Sequence, residues 1–110
     1  MSKNFKDDII ATLDSDEKIE AVVIGEYGWG GYGSEDRQLP EQKQNIILSL
    51  EEASNMLDYT YDTGYGAPQC NAVYVWTTEN ILIVSQYDGS TSIHKIPRNP
   101  VECKPKMPGG

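Results

Sequence analysis

The chain has 110 residues, a formal net charge of −8 and 38% hydrophobic residues, which fits one small domain that buries a modest core without disulfides or metal. The negative balance repels phosphate backbones and counts against nucleic-acid binding through a basic groove. No apolar run approaches the length of a membrane span, and Met1-Ser2-Lys3-Asn4-Phe5-Lys6 lacks the apolar stretch of a secretory signal, so no membrane contact and a cytoplasmic location are expected.

Asp7 to Leu13 is expected to form a short helix: Ile9, Ile10 and Leu13 fall at helical spacing, and Asp7 and Asp8 suit its N-terminus. Ser15-Asp16-Glu17 breaks it, and Lys18 to Glu26 reads as a strand, with Ile19, Ala21 and Val23 on one side and Val22 and Ile24 on the other. Residues 27–44 then read as a long loop, rich in glycine and polar groups. Asn45 to Leu48 is a short strand. Ser49-Leu50-Glu51-Glu52 matches a capping box, and the helix it opens runs to about Asp58, with Leu50, Ala53 and Leu57 as its buried stripe and Met56 beside them. A second loop, Tyr59 to Gly66, follows.

Three strands complete the domain. Ala72 to Thr77 alternates Tyr74 and Trp76 against Val73 and Val75. Ile81 to Tyr87 opens on a continuous apolar run, which implies a central strand covered on both faces. Asp88-Gly89 signals a two-residue hairpin that sets Tyr87 opposite Ser90, Ile83 opposite His94, Ile81 opposite Ile96 and Val84 opposite Ile93. Pro97 and Pro100 end the sheet after Thr91 to Ile96. The expected fold is α+β: a mostly antiparallel sheet of about five strands with one main helix packed on one face, spanning residues 1–100, and a C-terminal tail at 101–110.

Two loops stand out. Tyr27-Gly28-Trp29-Gly30-Gly31-Tyr32-Gly33 and Tyr59-Thr60-Tyr61-Asp62-Thr63-Gly64-Tyr65-Gly66 hold five of the seven tyrosines and one of the two tryptophans. Rings flanked by glycine give contact area at low entropic cost. Charge is also uneven: residues 1–62 carry fourteen acids against five bases, a balance of −9, and residues 63–110 carry three against four, a balance of +1. The expected contact residues are Trp29, Tyr32, Tyr61 and Tyr65, with Glu35 and Asp36 at the rim. Arg98 sits in the rigid turn after the last strand, poised for a carboxylate or phosphate.

No catalytic or metal constellation accompanies them. Gly28, Gly30 and Gly33 satisfy G-x-G-x-x-G, but the acidic stretch that follows has no helical stripe to present amides to a pyrophosphate. Asp58, Asp62, Asp88, Glu35 and Asp36 offer carboxylates for calcium, but Asp58 to Gly64 lacks the closing glutamate of a calcium loop. His94 is the one histidine, and Cys70 and Cys103 follow no metal spacing; reduced, separate thiols are expected. The expected function is a non-enzymatic inhibitor, without cofactor, that masks a basic protein, such as a nuclease or other nucleic-acid-handling enzyme, in the manner of immunity or anti-defence proteins. A small-molecule or nucleotide binder that uses the two glycine-tyrosine loops is the alternative, and oligomerisation through the exposed edge strand is compatible with it.

Overall fold

The computed structural model describes residues 2–28, 38–64, 66–87 and 89–107. The fold is α+β. Among the described residues seven strands, β1 (Ser2–Asn4), β2 (Ile19–Tyr27), β3 (Ile47–Leu48), β4 (Thr60–Asp62), β5 (Asn71–Thr77), β6 (Asn80–Tyr87) and β7 (Ser90–Pro97), join two α-helices, α1 (Phe5–Ala11) and α2 (Leu50–Leu57). The main sheet is antiparallel in the order β3-β2-β5-β6-β7; β1 and β4 form a separate two-stranded pair.

The hairpin pattern is borne out in full. Tyr87 pairs with Ser90, Val84 with Ile93, Ile83 with His94 and Ile81 with Ile96. A two-residue loop leaves the register no freedom, and Gly89 takes φ 80°, which suits glycine. The expected centre of the sheet is corrected: β5 occupies the middle and β6 lies one strand out.

Helix α2 starts as its sequence dictates. The Ser49 hydroxyl accepts the Glu52 N–H at 3.1 Å, and Ala53 and Leu57 are buried. Leu50 departs from the expected stripe and is 48% exposed, because it lies at the open side of the first turn. Helix α1 begins two residues earlier than its apolar spacing implies. Asn4 caps it, with its side-chain oxygen accepting the Asp7 N–H at 3.0 Å, and this places Phe5 in the core.

Both helices lie on one face of the main sheet. Val22, Ile24, Val73, Val75 and Leu82 point inward to meet Phe5, Ile9, Ala53 and Leu57. The opposite face carries two cross-strand rows. One runs Val23, Tyr74, Ile83, His94; the other runs Ala21, Trp76, Ile81, Ile96. No described element covers these rows: Tyr74 is 58% and Ile96 41% exposed. The Tyr74 and Trp76 rings meet edge-on at 6.0 Å.

Candidate functional site

Helical periodicity builds a groove on the other side of the sheet. Lys6 and Ile10 stand one turn apart on α1, and Leu50, Ser54 and Leu57 follow the matching face of α2. Between these walls, over a floor that includes Val22 and Val75, lies a cavity of about 220 Å³. Its rim is apolar where soluble surfaces are usually polar: Ile10 is 49% exposed and faces the similarly open Leu50. Among the described residues Lys6 and Ser54 are the only polar side chains in the lining.

The surround is acidic. Asp7 and Glu51, next in sequence to Lys6 and Leu50, are exposed and make no ion pair among the described residues. The cation in the lining is already neutralised, because Lys6 lies 3.4 Å from Asp58. A hydrogen bond from Asn4 and the charge of Lys6 hold the Asp58 carboxyl below its ordinary range. Glu52 is held low in the same way, by its bond to Lys43 and by that lysine's charge. These two carboxylates therefore hold their charge more firmly than free ones. Chemically, the groove can hold an aliphatic or aromatic side chain and attract cations beside it.

The residues singled out from sequence are distributed differently. Trp29, Tyr32, Glu35, Asp36 and Tyr65 lie outside the described residues. Tyr61 is corrected from contact surface to core. It sits on β4 at 2% exposure, its ring meets Phe5 edge-on at 5.0 Å, and its hydroxyl donates to Asp8 at 2.6 Å. Burial, then the bond to Asp8, raises its phenol well above the usual range. Tyr59 also turns inward; its hydroxyl donates to the Asn71 side chain at 2.7 Å and accepts the Asn71 N–H at 2.9 Å. The second loop is thus partly a strand, β4, whose Tyr61 fills the core, with Tyr59 packed against that core. Arg98 is engaged within the fold, paired with Glu20 and donating to the Thr77 carbonyl at 2.5 Å.

The base of the first loop is well tied. The Gln38 amide accepts the Tyr27 N–H at 2.8 Å and donates to the Tyr27 carbonyl at 3.0 Å, as a neighbouring strand would. Gly28 has φ 61° and donates its N–H to the Cys70 carbonyl at 2.8 Å. A Cβ there would meet the Pro68 carbonyl oxygen at 3.1 Å, so both conformation and space favour glycine.

Cys70 and His94 are not brought together. Cys70 belongs to the core, whereas His94 lies in an outer-face row. Burial pushes the Cys70 thiol up to about 12, so it is protonated and inert at neutral pH. Cys103 is exposed in the tail. Native protein should therefore take up one equivalent of a thiol reagent quickly, at Cys103, and the second only on unfolding. Rapid labelling of Cys70 in the folded Cys103→Ser variant would contradict the burial.

Among the acids weighed for calcium, Asp58 bonds Asn4 and Lys6 and Asp62 accepts the Gly64 N–H at 2.8 Å; Glu35, Asp36 and Asp88 lie outside the described residues. Elsewhere Asp14, Glu17 and Glu79 bring carboxylate oxygens within 4.8 Å of one another. Glu17 is already engaged there by Thr77, Asn80 and Lys95.

The sequence signals missed the groove because its walls are forty residues apart: Ile10 and Leu50 acquire meaning only once both helices share one face. Comparison with protein families, curated proteins and solved structures finds no match for this chain.

Proposed function

We propose that this chain is a non-enzymatic binding protein that receives an apolar side chain of a basic partner in the groove between α1 and α2, and so masks the partner's basic surface. The carrying observation is the half-exposed pair Ile10 and Leu50 above an apolar cavity, with the exposed carboxylates of Asp7 and Glu51, unpaired among the described residues, beside them. Basic surfaces of this kind belong to nucleic-acid-handling enzymes, nucleases among them, and occlusion is how immunity and anti-defence proteins inhibit as a class. An apolar anchor supplies affinity, and the surrounding acids speed encounter. Among the described residues a nucleotide would find Lys6 and Ser54 alone as polar groups in this lining, which favours a protein partner over a metabolite.

Affinity capture with the tagged protein, followed by mass spectrometry, identifies the partner; two sets of variants then test the site. Leu50→Ser and Ile10→Ser should weaken binding by about 1–3 kcal/mol with little change in melting temperature, since both side chains are half exposed in the free chain. Asp7→Lys with Glu51→Lys should slow association and flatten its salt dependence. Capture of an acidic partner, or binding that survives Leu50→Ser and Ile10→Ser unchanged, would remove the groove from consideration.

A further inference from the structure

The outer face of the sheet is unlike the rest of this surface. Its two central rows hold no aspartate, glutamate, lysine or arginine, in a chain where such residues make up 24%. The nearest charges stand at its margins or on the other side. Glu20 falls at the irregularity near the start of β2 and is paired with Arg98, while Lys95 projects from the inner side of β7 to Asp14 and Glu17. The centre is aromatic and β-branched: Tyr74, Trp76, Ile81, Ile83 and Ile96.

From this we infer that the face docks on the same face of a second copy, giving a two-fold dimer with layers helix, sheet, sheet, helix. Charge and area together select that occupant. A partner of either sign would find no counter-charge on the two rows, whereas an uncharged face meets its own copy without like-charge repulsion. The acids of α1 and α2 lie behind each sheet, so the pairing sends both acidic layers outward. Sheets packed face to face are about 10 Å apart, already more than the Debye length of about 8 Å at physiological salt, and the helical layers stand further out still. Pairing through the helical side would instead press together two acidic surfaces.

The area is sufficient. The four long strands have seven to nine residues each. At about 4.8 Å between strands and about 3.3 Å per residue they tile about 500 Å² per copy, or about 1,000 Å² for the pair before side-chain relief is counted, which meets the threshold of about 1,000 Å² for a biological interface and lies at the small end of the range. Tyr74 and Trp76 lie near the middle of this footprint, where aromatic anchors contribute most. A self-complementary patch generates a closed dimer, not a chain. This contact leaves the helical groove free and does not depend on its role.

Light scattering on the purified full chain at about 100 µM, where a Kd of about 1 µM leaves mostly dimer, measures the assembly directly. The expected mass is twice 12.3 kDa for the wild type and 12.3 kDa for Tyr74→Glu. Ile96→Lys serves as a second variant; both replace residues that are well exposed in the isolated chain, and circular dichroism confirms that each is folded. A monomeric wild type overturns the inference. So does a dimer that persists in both folded variants, which would place the contact elsewhere, for example along the β7 edge.

Discussion

Leu57→Ala should lower the stability of the domain by about 2–5 kcal/mol. Leu57 ends the buried stripe of α2, is 4% exposed, and packs in the same cluster as Ile9, Val22 and Val75. Truncation removes its transfer free energy and enlarges the adjoining groove, where the helices can relax only in part. The loss is a large fraction of the about 5–15 kcal/mol that holds a domain of this size together. Leu50→Ala, on the same helix and bordering the same groove, is the control. With nearly half its surface in water it should cost no more than about 1 kcal/mol. Urea unfolding of both variants, with unchanged m-values, makes the comparison. Equal costs at the two positions would mean that α2 is rotated from the orientation described.

Such contrasts mark where the sequence was readable. Ser49 and Glu52 announced the start of α2 because a capping box is local chemistry. Asp88-Gly89 set the β6–β7 register because a two-residue turn admits only one. Sequence is a poor guide where distant segments decide. The apolar run of Ile81 to Val84 implied a strand covered on both faces, yet only Leu82 and Val84 face the core. Ile81 and Ile83 belong to the outer rows, which no described element covers, so among the described residues the run records an apolar outer face. β1 and β4 are three residues each, too short for a periodic signal, and only their mutual pairing shows them. That pairing carries Tyr61 inward onto Phe5 and removes it from the contact surface. Composition alone could not show that Tyr61 fills the core.

Acid should destabilise the domain most steeply where Glu17 takes up its proton. The sequence marks Ser15-Asp16-Glu17 only as a break after α1, but the Glu17 side chain is fully buried where the α1–β2 turn meets β5, β6 and β7. Burial alone would raise its carboxyl. Hydrogen bonds from the Thr77 hydroxyl, the Asn80 amide and the Asp14 N–H, with the charge of Lys95 at 3.4 Å, outweigh that and hold it at about 2. The folded value lies below the ordinary 4.5, so the contribution is complete above that pH and is lost as pH falls toward about 2. A gap of this size corresponds to about 3 kcal/mol. Glu17→Gln keeps an acceptor for Thr77 and Asn80 but loses the charge. Breaking a buried pair usually costs about 3–5 kcal/mol, and the lower end is expected here, because Lys95 retains Asp14 at 3.5 Å and partial access to water. Urea midpoints measured between about pH 6 and pH 2 should fall less steeply in the variant, with the two stability curves converging at the acid end. Parallel curves would show that other carboxylates carry the acid sensitivity and that the charge on Glu17 adds nothing net to the corner it occupies.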